Sequence, residues 1–211
     1  MQYSFIETLP LQPKASKLAI LLHGVGSDAQ DISMIIPYMQ KSLPGMHFIA
    51  LDGLQKYDMG AFGYQWFSLQ NRSEQNMQIE VGKTAPLVIK FLEFKLAELA
   101  LDFQDLFLIG FSQGTMLSMQ IANSFDKKLA GIIGFAGAII PPQNFDGNTK
   151  TPICFIHGSN DEILHVDLMH QSANFMKQLG FKVETHTIPN LTHSIDMRCI
   201  QIANNFISNL I

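Results

Sequence analysis

Apolar positions along the chain fall into two rhythms. Short unbroken runs, Leu18-Ala19-Ile20-Leu21-Leu22, Phe48-Ile49-Ala50-Leu51, Asp105-Leu106-Phe107-Leu108-Ile109, Leu129 to Phe135 and Thr151 to His157, each stop at a turn. That is the pattern of strands covered on both faces. Between them lie longer stretches with apolar residues near helical spacing. Met34, Ile35, Tyr38 and Met39 mark one face of a first helical stretch, in which Pro37 predicts a kink or a split. Leu87, Val88, Phe91, Leu92, Leu96 and Leu99 mark a helix over 79–100, with a break or late start at Pro86. Helices over 115–122, 166–179 and 194–210 follow, and Tyr3 to Leu9 and Lys182 to Ile188 read as the first and last strands. Strands alternate with helices from Leu18 onward, which predicts a doubly wound, mostly parallel α/β sheet. No repeat, low-complexity tract or linker interrupts it, so 1–211 reads as one domain.

In such sheets the active site lies beyond the C-terminal ends of the strands. The turns selected are 23–28, the one at Ser112, the one from Gly137, and those at Asp161 and His193. Gly110-Phe111-Ser112-Gln113-Gly114 stands between a strand and a helix. A serine at the apex of so tight a turn is strained, and the flanking glycines remove side chains that would collide. A G-x-S-x-G match alone arises by chance in roughly one chain in ten or twenty of this length. Context is therefore needed, and it comes from downstream.

A serine hydroxyl needs a base to take its proton, and an imidazole base needs a carboxylate to fix its tautomer. Ser112, Asp161 and His193 occur in that chain order, each just after a predicted strand. The other histidines suit the role less well. His157 packs at a strand end, His186 lies in a strand, and His165 and His170 lie in or near a helix. Glu162 and Asp167 are alternative acids, and Asp161 is nearest the strand end. The developing oxyanion would meet the backbone N–H groups of Gln113 and of Val25, in the glycine-rich turn after the Leu18 to Leu22 strand.

That turn also supports a rival. Gly24-Val25-Gly26-Ser27-Asp28-Ala29 fits G-x-G-x-x-A between strand and helix, and Asp52 ends the next strand, as in dinucleotide-binding oxidoreductases. That reading leaves Ser112, Asp161 and His193 without a joint explanation. The 52–76 segment is long, aromatic and aperiodic. Two readings of it stand: Trp66 and Phe67 plug the loop onto the core, or Met59, Phe62, Tyr64 and Trp66 wall a substrate site that Ile139 and Ile140 complete.

Composition narrows the classes. Net charge is −4 and basic residues form no cluster, which gives no footprint for nucleic acid. No apolar run reaches membrane-spanning length, and the N-terminus lacks the pattern of a signal peptide, so no integral membrane association is expected and a cytoplasmic location is. Two cysteines, Cys154 and Cys199, are too few for a disulfide framework and read as buried thiols. The seven histidines show no metal-ligand spacing, and no metal or other cofactor is expected. The eleven methionines suit core filling and a homodimer surface equally.

With these residues assembled, the sequence resembles the phospholipase/carboxylesterase group of the α/β-hydrolase superfamily, which includes the acyl-protein thioesterases. Leu22-His23-Gly24-Val25-Gly26, Gln65-Trp66-Phe67, Gly110 to Gly114, His157-Gly158 with Asp161, and Thr192-His193 carry the resemblance, in order along nearly the whole chain. It implies an α/β-hydrolase fold with no separate lid domain, a Ser112–Asp161–His193 triad, Val25 and Gln113 as oxyanion donors, and hydrolysis of an ester, lysophospholipid or acyl-protein without a cofactor. Two departures stand out: Thr115 replaces a usual glycine, and Ala136 stands where a serine often precedes Gly137. A hydrolase-like fold serving only as a binding module is the non-enzymatic alternative.

Overall fold

The computed structural model describes residues 3–124, 127–142 and 151–211. Nine strands and six helices are described: β1 Phe5–Thr8, β2 Lys17–Leu22, α1 Ala29–Ser33, α2 Ile36–Gln40, β3 Met46–Leu51, β4 Gln55–Lys56, β5 Tyr64–Gln65, α3 Glu74–Leu99, β6 Leu106–Phe111, α4 Gln113–Asn123, β7 Gly131–Phe135, β8 Ile153–Gly158, α5 Val166–Gln178, β9 Val183–Ile188 and α6 Met197–Ser208. Seven strands form one sheet in the order β1-β3-β2-β6-β7-β8-β9. All pairs are parallel except β1 on β3. The mostly parallel sheet is the one that the alternation predicts.

Side chains alternate across a strand, so each apolar run feeds two cores. Leu18, Ile20, Leu22, Ile49, Leu51, Leu106 and Leu108 pack under α3, α4 and α5. Ala19, Leu21, Phe48, Ala50, Phe107 and Ile109 pack under α1, α2 and α6. Each large side chain so buried stabilises the fold by about 1.5–3 kcal/mol. Helices on both faces close the five central strands from water, and the edge strands β1 and β9 stay partly exposed.

Several local expectations need correction. The helix α3 runs unbroken from Glu74 through Pro86 to Leu99. Its buried stripe, Val81, Thr84, Ala85, Val88, Phe91, Leu92 and Leu96, spans the proline and outweighs the lost backbone bond. The 34–39 stretch is turned differently from its predicted face: Met34 and Tyr38 are exposed, whereas Ile32, Ile36 and Met39 face the core. Pro37 does split it, standing in the first turn of α2, where its missing N–H is no loss. The long 52–76 segment contains the β4–β5 ribbon, too short to show a period, and yields to α3 at Ser73, whose Oγ accepts from Asn76 N–H.

Candidate active site

The connection from β6 to α4 is the single residue Ser112, with φ 52° and ψ −113°. So short a link forces the strained angles, and the surroundings hold them. Ser112 N–H donates to Phe135 O at 2.9 Å. A Cβ on Gly114 would overlap the Leu22 carbonyl, and one on Gly110 would strike the backbone of Gly114 and Thr115. Ser112 is half-buried, at the C-terminal edge of the sheet.

The neighbouring loops are tied together by backbone bonds that continue the sheet past its strand ends. Ala136 N–H donates to Ile156 O at 2.9 Å, Ser159 N–H to Ile188 O at 2.9 Å, and Asn160 N–H to Leu191 O at 2.9 Å. These bonds fix the turn after β8, which carries Asp161, against the loop after β9, which carries His193. Thr115, fully buried, directs its hydroxyl at Gly110 O (2.9 Å) and Phe135 O (3.0 Å), beneath Ser112.

Asp161 is 3% exposed and its carboxylate is fully engaged. Oδ1 accepts the N–H groups of Ile163 and Leu164, each at 2.9 Å. Oδ2 accepts from His193 Nδ1 at 2.7 Å. Burial pushes this carboxyl up, but the Leu164 N–H, His193 and the Ile163 N–H together hold it below the usual aspartate range. With Nδ1 committed, His193 has Nε2 for chemistry. The His193 ring packs 4.9 Å from that of Phe111, the residue before Ser112. The Ser112 hydroxyl makes no hydrogen bond among the described residues; serine–histidine contacts in ligand-free sites are often long and tighten with substrate.

Of the competing residues, His165, His170, Glu162 and Asp167 are exposed, and His186 is half-buried beside Glu184. None of them is bonded to Asp161 or His193. His157 is different: its buried Nε2 lies 3.0 Å from Asp161 Oδ2. Its place at a strand end gave no sign of this, because the turn after β8 alone folds Asp161 back onto it.

The turn after β2 lies against Ser112. A carbon added to Gly24 would stand 3.4 Å from Ser112 Cβ and 3.0 Å from the Phe111 ring. His23 braces this turn: Nδ1–H donates to Gly24 O at 2.7 Å and Nε2 accepts from Gly53 N–H at 2.8 Å. Burial pushes its pKa down, so the ring stays neutral and keeps that tautomer. Gly26 N–H donates to Tyr64 O (2.7 Å) and Tyr64 N–H to Ser27 O (2.8 Å). The Gln113 side chain accepts from Trp66 N–H at 3.0 Å and donates to Phe67 O at 2.7 Å. The N–H groups of Val25 and Gln113 have no partner among the described residues, and that of Gln113 opens α4, where the helix dipole favours negative charge. Asp52, the ribose ligand of the dinucleotide reading, is instead occupied by Ala29 N–H at 2.7 Å and the Ser4 hydroxyl at 2.6 Å.

The expected substrate walls scatter. Trp66 is fully buried and donates Nε1–H to His23 O at 2.8 Å, so it plugs the loop onto the core. Met59 and Phe62 are exposed, and Tyr64 is half-buried beneath the Lys56 ammonium. Ile139 and Ile140 face a small cavity along the C-terminal half of α4, with neither Ser112 nor His193 in its lining. A larger cleft of about 310 Å³ does adjoin His193, walled by Ile32, Met34, Ile35, Phe111 and Ile195, with Asp31 and Ser194 at its polar edge. Sequence reasoning missed these walls because it gave Met34 and Ile35 to the core.

Residues 4–211 match the family described as Phospholipase/Carboxylesterase. The chain belongs to that family. It is 29% identical over 203 residues to the esterase YpfH of Escherichia coli strain K12, covering 94% of this chain and 84% of that one. Acyl-protein thioesterase 1 of Eremothecium gossypii is 27% identical over 206 residues, covering 89% and 85%. The crystal structure of esterase PE8 superposes with a TM-score of 0.94 at 26% identity over all of both chains. A Bacillus cereus carboxylesterase shares the fold at 14% identity, with a TM-score of 0.83 over 99% of this chain and 95% of its own. The fold is that of the α/β-hydrolases, and the protein is a carboxylic-ester hydrolase.

Proposed function

We propose that this esterase hydrolyses carboxylic esters or thioesters through an acyl-Ser112 intermediate, with Asp161 and His193 completing the triad. The observation that carries it is the 2.7 Å bond from His193 Nδ1 to a buried, backbone-held Asp161, with the His193 ring packed on Phe111, the residue before a strained Ser112. His193 Nε2 accepts the Ser112 proton as Oγ attacks the acyl carbon. The negative charge that forms on the acyl oxygen meets the N–H groups of Val25 and Gln113. The tetrahedral adduct collapses, His193 gives the proton to the departing alcohol or thiol, and the acyl-serine remains. Water then enters, His193 takes its proton, and a second adduct releases the acid and restores Ser112. Asp161 stays ionised throughout and orients the imidazole.

The cleft walled by Met34, Ile35 and Phe111 supplies an apolar surface next to His193, suited to a substrate of small or medium size or to the attached end of a larger acylated carrier. A cytoplasmic location and a homodimer belong to the same reading, the latter resting on exposed Met34, Tyr38 and Phe62. Fractionation and sedimentation velocity test these two. The chemistry is tested with p-nitrophenyl esters of increasing chain length, on the natural protein and Ser112→Ala, together with a fluorophosphonate label. Turnover lost in the variant and label carried on Ser112 support the assignment; a folded protein that takes label elsewhere sinks it.

A further inference from the structure

We propose that His157 is a positioning residue for the proposed Asp161–His193 pair, its Nε2–H divided between Leu164 O and the Asp161 Oδ2 that His193 also holds. The inference rests on the triad reading above and adds a fourth residue to it. His157 is the penultimate residue of β8, and its side chain has no solvent exposure. Nε2 lies 2.7 Å from Leu164 O and 3.0 Å from Asp161 Oδ2. A carbonyl can only accept, so Nε2 carries the hydrogen and Nδ1 is a bare lone pair. That Nδ1 is buried and has no partner among the described residues.

Two consequences follow from the bare nitrogen. Protonating Nδ1 would create a buried N–H⁺ with no acceptor, so the ring stays uncharged beside a carboxylate that would otherwise attract a proton to it. Burial accordingly pushes its pKa down against the opposing pull of Leu164 O and Asp161, and His193 acts in the same direction as burial. These two, Asp161 from the turn after β8 and His193 from the loop before α6, are the charged groups that act on it. A phenylalanine or leucine would fill the same space without orphaning a polar atom in the core. The structure keeps the nitrogen, and what it supplies is the donor on the other side of the ring.

That one hydrogen is divided between Leu164 O at 2.7 Å and Asp161 Oδ2 at 3.0 Å, which gives the carboxylate a second, weaker donor. Backbone N–H groups hold Oδ1, and Oδ2 would otherwise have His193 alone. The second donor fixes the plane of the carboxylate toward His193 Nδ1. It also takes up part of the charge on Oδ2, which weakens the hold of Asp161 on a protonated His193.

Replacement by Leu removes the donor, and Gln restores an N–H at similar reach. For His157→Leu, kcat falls about 10–100-fold at unchanged KM, a loss on the scale seen when the hydrogen-bond partners behind metal-ligating histidines are removed. The acid limb of its kcat/KM profile moves to higher pH. His157→Gln keeps both kcat and the profile near those of the natural protein. A Leu variant that folds and matches the natural protein in kcat and profile overturns the proposal, and so does a Gln variant as impaired as Leu, which is the outcome of a packing role. A second measurement needs no variant. In ¹⁵N-histidine spectra of the natural protein, His157 holds the neutral Nε2–H tautomer from about pH 5 to 8; an Nδ1–H tautomer or a titration in that window overturns the assignment. Fluorophosphonate labelling of Ser112 in the same samples separates the two levels. Loss of labelling in the natural protein defeats the triad reading, whereas labelling with no His157 effect defeats only this one.

Discussion

Replacing Ser112 by glycine should make the protein more stable, and replacing it by alanine should not. Ser112 holds φ 52° and ψ −113°, outside every region that a residue with a Cβ enters comfortably. Such a conformation costs about 1–3 kcal/mol. Glycine removes that strain but loses about 0.5–1 kcal/mol more conformational freedom on folding. The difference is a gain between about zero and 2.5 kcal/mol, centred near 1. For a domain of this size it corresponds to a rise in Tm of about 2–4 °C per kcal/mol. Alanine keeps the Cβ and therefore the strain, and the hydroxyl it removes makes no hydrogen bond among the described residues. Urea unfolding of the three proteins, analysed at a common m value, reads the difference directly. Both variants lose esterase turnover, so any stability gain comes with loss of function. If Ser112→Gly is no more stable than Ser112→Ala, the turn is not strained and the account of how the hydroxyl is presented fails.

Further expectations concern Asp161 and the cysteines. Asp161→Asn should lower kcat by about 10⁴ with little change in fold, because the amide cannot hold His193 in the working tautomer; circular dichroism with p-nitrophenyl ester turnover checks both halves. Asp161, Asp105, Asp196 and Glu7 all have carboxyls held below their ordinary range, with burial opposing and hydrogen bonds or ion pairs prevailing. A lowered folded pKa contributes stability that is present above the unfolded value of about 4 and is lost as pH falls through the folded one. Unfolding free energy should therefore start to fall below about pH 6.5, where His23 and His157 take up protons only in the unfolded chain, and fall further below about pH 4 as the carboxylates protonate, with a shallower acid decline in Asp161→Asn. Burial pushes the Cys154 thiol up to about 12 and the Cys199 thiol up to about 11. Neither should react with a disulfide reagent at pH 8 until urea unfolds the chain, and prompt native-state labelling would contradict their burial.

The apolar runs made the sheet legible because a strand covered on both faces has no competing pattern, and the five central runs all became strands. Helix faces were less legible. Met34 and Tyr38 fit a helical stripe by spacing, but Pro37 splits the stretch, and each half then turns its own residues inward. Pro86 misled for the opposite reason: a 26-residue helix with a long buried stripe tolerates one lost backbone bond. At the site, chain order and strand ends brought Ser112, Asp161 and His193 into view. The structure places the 2.7 Å bond between the last two, which sequence could only suggest. The cleft walls were not legible, since Met34 and Ile35 on α1–α2 meet Phe111 and Ile195 only through tertiary packing. Nor was the role of Tyr64, which braces the turn after β2 with its backbone, a group with no sequence signature.

Thr115 shows how a departure from the family pattern is absorbed. Its hydroxyl joins Gly110 O, at the end of β6, to Phe135 O, at the end of β7, and Phe135 O also receives the Ser112 N–H. The extra volume has room because β7 and the turn after it are each bare at one place: a Cβ on Gly134 or Gly137 would collide with the Thr115 side chain. The threonine and the two glycines thus form one packing unit beneath the nucleophile. Thr115→Val keeps the shape and removes the shared donor, so it should cost about 1–3 kcal/mol of stability and loosen the clamp on Ser112. Thr115→Gly removes both, and should cost more by leaving a void under the turn. Urea unfolding alongside kcat for a p-nitrophenyl ester separates the two contributions. A Val variant with unchanged stability would mean that the two carbonyls are satisfied without the hydroxyl, and that shape alone is what the threonine provides.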